Sequence, residues 1–442
     1  MREADSFLPE RGLADSRITV EEQGTPTGGH SVQELAQREQ LLASADDLVC
    51  HAPSYSGAQH TRSPPLARQN LSVYERPPAA SLPPRLSVSA LTANHRRRSQ
   101  SNAAPRFGAR ISRINRVAAP MKIGVFTVLY QDLPLEVALD KIAALGIEAV
   151  EISTGNYAGT AHCDARALIG DDEAVRRLKE AVERRGLVIS GLSQHGNPLH
   201  PQEKVARATH ETWRATVQLA ELLEVPVVLA FSGCPGDQPG ARYPNWVTCP
   251  WPDDYLEILD WQWNERVLPY WTREAAYARE HGVRIALEMH PGFVVYNTQT
   301  LLRLREATGP AVGANFDPSH LFWQGADVVE VINRLGREGA LFHVHAKDTY
   351  LNRANIRLNG VLDTKPGAAG PPAQVAGRAW IFRTIGYGQG EQRWREIVSA
   401  LQANGYDGVV SIEHEDPLLS IEEGLAKAVE LLERIVPRQG VA

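Results

Sequence analysis

Cysteine is scarce in this chain: four residues in 442, Cys50, Cys163, Cys234 and Cys249, widely separated and without a C-x-x-C pair. That excludes a disulfide scaffold and a cysteine-ligated zinc site, and it points to a reducing, cytoplasmic compartment. No uninterrupted apolar run approaches the ~20 residues of a membrane-spanning helix, so no membrane partner is expected. No G-x-G-x-x-G follows the first β-branched run; Thr127-Val128-Leu129-Tyr130 stands there instead. A dinucleotide-binding open sheet is therefore disfavoured. Lysine and tryptophan are both missing from residues 1–120, although the chain holds nine Trp.

That last absence divides the chain. Residues 1–120 contain 15 Arg, 11 acidic residues and 11 Pro, a net +4, whereas residues 121–442 hold 31 basic against 41 acidic residues, a net −10. Ser63-Pro64-Pro65 and Arg76-Pro77-Pro78 cannot propagate a helix or a central strand. With too little apolar surface to offset the entropy of ordering, residues 1–120 are expected to be a disordered, low-complexity extension. Between Glu75 and Asp132 there is no acidic residue while arginines accumulate. Such a stretch reads as an organellar leader, as a basic tail lacking interleaved aromatics, or as an over-extended start ahead of Met121-Lys122-Ile123-Gly124-Val125-Phe126.

From Met121 onward, short β-branched runs alternate with amphipathic helical stretches. Strands are expected at Lys122–Phe126, Glu148–Ile152, Leu187–Leu192, Val227–Phe231, Arg284–Glu288, Val312–Phe316, Leu341–His345 and Val409–Glu413. Helices are expected at Leu135–Leu145, Asp172–Arg185, Glu203–Leu223, Tyr255–His281, Thr298–Ala307, Ala326–Leu335, Trp394–Ala403 and Ile421–Ile435, with Gly146, Gly186, Gly282 and Gly405 as C-terminal caps. Eight such units in residues 121–442 are the arithmetic of an α/β fold of the (β/α)8 TIM-barrel type.

Reactive residues of such a barrel sit at the C-terminal ends of its strands. Strand five ends in Glu288-Met289-His290, strand six in Asn315-Phe316-Asp317-Pro318-Ser319-His320, strand seven in His343-Val344-His345-Ala346-Lys347-Asp348, and strand eight in Glu413-His414-Glu415. Taken singly, each has a blander explanation: a rim charge, an Asp-Pro turn, a hydrogen-bonded core histidine. Four of them at matching ends of four successive strands, ~5 Å apart, can converge on one ion. Glu288, Asp317, His345 and Glu413 make an oxygen-rich, mixed donor set suited to Mn²⁺, with Mg²⁺, Co²⁺, Fe²⁺ or Zn²⁺ as alternatives. His343 has the same strand parity as His345, and Glu415 the same as Glu413. His345 is favoured as the nearer to the mouth, and Glu413 as the residue closing the apolar run.

On these motifs residues 121–442 resemble the xylose isomerase-like TIM-barrel superfamily, specifically its sugar phosphate isomerase/epimerase group. The resemblance implies one divalent metal on Glu288, Asp317, His345 and Glu413. It also implies that Glu288 and Glu413 exchange a substrate proton, and that His320, Lys347 and His195 contact substrate, with Glu151 at the end of strand two a further pocket candidate. The expected activity is sugar isomerisation or epimerisation by proton abstraction next to a carbonyl, on a keto-sugar or cyclitol. The alternative is metal-dependent elimination from an inosose or 3-keto-glycoside, which shares the enediolate. A non-catalytic sugar-binding barrel is a different class. So is an endonuclease IV-like repair enzyme, which a barrel at −10 without a basic phosphate track disfavours. A carbohydrate is the expected partner and nucleic acid is not; a homo-oligomer is compatible with the resemblance. The segments Ser232–Asp253 and Thr349–Gly390 read as long active-face loops, whose Trp246, Trp251, Trp380 and Phe382 are either substrate walls or loop packing.

Overall fold

The computed structural model describes residues 120–365 and 372–438. The expected extension, up to residue 119, lies outside the described residues, as does the Gly-rich stretch 366–371 of the second long segment. Eight parallel strands close a barrel: β1 (Lys122–Phe126), β2 (Ala149–Ser153), β3 (Val188–Ser193), β4 (Val227–Ala230), β5 (Arg284–Glu288), β6 (Val312–Phe316), β7 (Leu341–Ala346) and β10 (Val409–Ile412), with β10 pairing back onto β1. This is the (β/α)8 barrel, its strands within a residue or two of their expected ends. Gly146, Gly186, Gly282 and Gly405 close their helices at positive φ, as a left-handed cap requires.

Register decides which side chains meet. Glu288 pairs with Asn315 and Asn315 with His343, while His345 pairs with Ser411. His343 and His345 are two residues apart and share a face, with His345 nearer the C-terminal mouth. The ladder shifts register between Val150 and Glu151, and again between Ala314 and Asn315. Bulges re-aim the side chains beside them, and here each lies next to a residue of the central polar network.

One expected helix is interrupted. Tyr255–His281 divides into Asp254–Trp261, a π-helical turn at Gln262–Val267, and Leu268–Glu280 with Pro269 in its first turn. Proline inside a helix removes a ladder donor and collides with the carbonyl one turn back; the wider turn absorbs both effects. From this turn the Gln262 side-chain amide donates to Gly236 O (2.8 Å) and Asn245 O (2.7 Å), pinning the loop after β4.

The second long segment is a structured insertion, with no sheet expected there. β8 (Asp348–Leu351) and β9 (Trp380–Arg383) form an antiparallel ribbon over the mouth. Its anchor is Asp348, a buried carboxylate that accepts from Thr349 N (2.7 Å), Gly386 N (2.9 Å), Gly388 N (3.0 Å), Gln389 N (3.0 Å) and Trp394 Nε1 (3.0 Å). Gly388 has to be glycine, since a Cβ there would collide with the Thr349 backbone. Thr349 Oγ1 donates to Ser319 O (2.7 Å), and Trp380 stacks on Trp323 at 4.8 Å and 4°. Asp348→Asn turns one acceptor oxygen into a donor facing this nest of N–H groups. The expected loss is roughly 2–4 kcal/mol, seen as a lower urea midpoint with unchanged slope.

Burial pushes the Cys163 and Cys234 thiols up to about 12, so both are inert. Cys163, Cys234 and Cys249 are all free. No described helix is long and apolar enough to cross a membrane.

Candidate metal centre

Each donor residue is placed by its local chain. Glu288 is the last residue of β5. Asp317 caps the helix Pro318–Trp323, its Oδ1 accepting from Ser319 N at 2.8 Å, with proline in the first helical turn. The Asp-Pro turn and the donor are therefore one device: one oxygen caps the helix and the other is free for the cluster. His345 lies near the end of β7 and Glu413 directly follows β10.

One ligand atom from each of Glu288, Asp317, His345 and Glu413 falls within a sphere of contacts no wider than 4.8 Å. Nδ1 of His345 is 3.1 Å from Glu413 Oε2 and 3.5 Å from Glu288 Oε2. Of the paired alternatives, His343 lies deeper, its Nδ1 on Asn315 Oδ1 (3.1 Å) and its Nε2 on Ser190 Oγ (3.2 Å). Glu415 is half exposed and pairs with Lys347 at 3.0 Å.

The remaining sequence candidates surround this set. His320 Nε2 is 3.1 Å from Glu288 Oε1 and 3.3 Å from Asp317 Oδ2, and His195 Nε2 is 3.3 Å from Glu288 Oε2. The buried Lys347 ammonium lies 3.1 Å from Asp317 Oδ2 and 2.7 Å from Glu413 Oε2. Glu151, expected on the pocket wall, is fully enclosed. Its oxygens take Ser193 Oγ, Ser411 Oγ (3.0 Å) and His345 Nε2 (2.9 Å).

Electrostatics follow from burial set against neighbours. Burial would raise Glu288, yet His195 and His320 hold it well below the ordinary carboxylate range. Burial opposes charge on His345 and Lys347 too, but the carboxylates around them win and both are raised well above their usual values. Glu413 is lowered, with Lys347 and His345 overcoming its burial. Glu151 falls to about 2 because His345 outweighs its burial. Desolvation takes His343 down to about 4 and His290 to about 3, so both are neutral imidazoles.

Among the described residues, Asp317 Oδ2 and Glu413 Oε2 are buried oxygens without a directed hydrogen bond; Lys347 meets them only as an ion pair. Buried oxygens of that kind, beside a carboxylate and an imidazole, fit a divalent cation.

Sequence reading gave no role to two contributors, Asn315 and His290, and left a third, Phe382, between substrate wall and loop packing. Asn315 donates to Glu288 Oε2 at 3.1 Å, and only the bulge before it makes that reach intelligible. His290 packs on His320 with centroids 4.1 Å apart; it stands two residues beyond Glu288 but carried no motif. Phe382 of the ribbon lies 5.2 Å edge-on from His320 and 4.6 Å from the Lys347 ammonium, roofing the cluster. Of the other aromatics proposed as walls, Trp246 packs on Tyr296 and Trp251 is exposed.

A closed parallel barrel with such a cluster at its mouth is the arrangement of a metal-dependent enzyme. The chain belongs to the xylose isomerase-like TIM-barrel family, whose model matches residues 139–435. The Bacillus subtilis (strain 168) protein YfiH, itself uncharacterized, is 38% identical over 319 residues, 72% of this chain and 99% of that one. An inosose dehydratase of Lacticaseibacillus casei is 30% identical over 167 residues, 37% of this chain and 51% of the dehydratase, so the match spans about half of that enzyme. The solved structure of the probable 3-DHS dehydratase AsbF of Bacillus anthracis superposes with a TM-score of 0.50 at 16% identity. It covers 71% of this chain and 99% of that one, and the likeness is one of fold.

Proposed function

We propose that the chain is a divalent-metal-dependent lyase that removes water from an inosose or a comparable keto-sugar such as a 3-keto-glycoside. One observation carries this reading: a carboxylate base and a buried ammonium acid stand at the same cluster. Glu288 lies 3.1 Å from His320 and 3.3 Å from His195, and the Lys347 ammonium lies 3.1 Å from Asp317 and 2.7 Å from Glu413. An elimination needs both, one to take a proton and one to give it. The half-length likeness to inosose dehydratases supports the same choice.

Glu288 removes the proton next to the substrate carbonyl. As the C–H pair becomes the new C=C bond, the β-hydroxyl departs with a proton from Lys347, so that one water leaves per turnover. His195 and His320 flank Glu288 and are proposed to hold substrate hydroxyls. An ion on Glu288, Asp317, His345 and Glu413, proposed to be Mn²⁺, supplies Lewis-acid polarisation of the carbonyl worth several kcal/mol. Phe382 closes the roof and excludes water.

Isomerisation or epimerisation through the same enediolate is the second reading, favoured by the presence of both Glu288 and Glu413 in the cluster. Against it stands the likeness to inosose dehydratases. Incubation with Mn²⁺ and a panel of inososes, 3-keto-glycosides and keto-sugars in D₂O separates the two. Loss of 18 mass units with a new conjugated ultraviolet band marks the lyase. Deuterium gained in a product of unchanged composition marks the isomerase or epimerase and overturns the lyase. Chelation with EDTA is expected to abolish either activity, and added Mn²⁺ to restore it; full activity after exhaustive dialysis against chelator would refute the metal role.

A further inference from the structure

His345 can offer one nitrogen to a cation, and its surroundings choose which. Nδ1 faces Glu413 Oε2 at 3.1 Å and Glu288 Oε2 at 3.5 Å, on the donor side. Nε2 faces away from those oxygens, 2.9 Å from Glu151 Oε2. Glu151 is fully buried, and hydroxyls from two other barrel strands fix its orientation: Ser193 on β3 to Oε1, and Ser411 on β10 to Oε2 at 3.0 Å. The register shift between Val150 and Glu151 directs the side chain into this position. A carboxylate that costs so much to enclose needs a partner, and the imidazole of His345 is the titratable group it touches.

We propose that Glu151 is a positioning residue: its carboxylate takes the Nε2–H of His345 and so makes Nδ1 the nitrogen that holds the metal. This rests on Glu288, Asp317, His345 and Glu413 being metal donors, but not on which sugar is bound or whether water leaves. A ligating imidazole whose far nitrogen donates to a carboxylate is fixed in one tautomer and one ring orientation, and becomes a stronger donor.

A rival use of the same atoms is a second metal site, since Glu151, His343 and His345 are also close enough to share an ion. Both His343 nitrogens are already engaged, on Asn315 and Ser190, and both Glu151 oxygens carry serine hydroxyls. That trio is a hydrogen-bonded support, and one ion per chain is expected.

The test is Co²⁺ titration of the full chain, followed by visible d–d absorption, for wild type, Glu151→Gln and Glu151→Leu. Glu151→Leu removes the acceptor and is expected to weaken Co²⁺ binding about 10–100-fold. Glu151→Gln keeps an acceptor without its charge and should fall between that value and wild type. ¹⁵N-histidine spectra of the Zn²⁺-loaded wild type should show His345 protonated at Nε2 and metal-bound at Nδ1. Unchanged affinity in the variants, a second ion per chain, or binding through Nε2 overturns the proposal. Should Glu151→Leu not fold, the Gln variant and the wild-type tautomer decide. A failed lyase reading looks different: these affinities and spectra stand as expected while no substrate turns over. A wild-type chain that takes up no Co²⁺ removes the donor set and this inference together.

Discussion

Glu288→Gln is expected to lower turnover by roughly 10²–10⁴-fold, the range for loss of a positioned acid or base. The change keeps the side chain's size, so the effect is chemical. Glu288 touches His320 at 3.1 Å, His195 at 3.3 Å and the Asn315 amide at 3.1 Å, so its charge is balanced by groups that stay in place. Gln offers neither a basic oxygen nor an anionic metal donor. Deuterium uptake from solvent should vanish with turnover, because the proton is never removed, and metal affinity should fall in the same variant. Solvent exchange that persists at the wild-type rate would remove Glu288 from the base position, whatever happens to product.

Lys347→Met should divide the reaction at a different point. Methionine fills the same volume under Phe382 but carries no proton to give. Elimination is expected to fall by about 10²–10⁴-fold, while exchange of the proton next to the carbonyl continues through Glu288. An enzyme that normally dehydrates would then only exchange. If Lys347 merely neutralises Asp317, Glu413 and Glu415, exchange and elimination fall together, and restoring the charge with Lys347→Arg recovers both. Monitoring deuterium incorporation and loss of water on the same sample distinguishes these outcomes.

Much of this arrangement was legible in the sequence because periodic signals fix a barrel and barrels put chemistry at strand ends. Strand-end position nominates Glu288, Asp317, His345 over His343 and Glu413 over Glu415, and the structure brings one ligand atom of each within 4.8 Å of the others. What stayed hidden depends on register and on contacts distant in sequence. The bulges that turn Glu151 and Asn315 inward leave no compositional trace. The partner of Glu151 was hidden for the same reason, since 194 positions separate it from the imidazole it touches. The ribbon was read as loop because its two short strands pair across 28 intervening residues, and its Asp348 nest draws on backbone N–H groups that every sequence has. The π-helical turn was foreshadowed by Pro269, a residue that an amphipathic count passes over.

The ribbon is encoded within one contiguous insertion and secured by its own buried anchor, whereas the donor atoms come from the ends of four separate strands. The roof and the donor atoms are thus carried on different stretches of chain. A lineage could trade the roof for another of different shape while the donor residues beneath pass unaltered from ancestor to descendant.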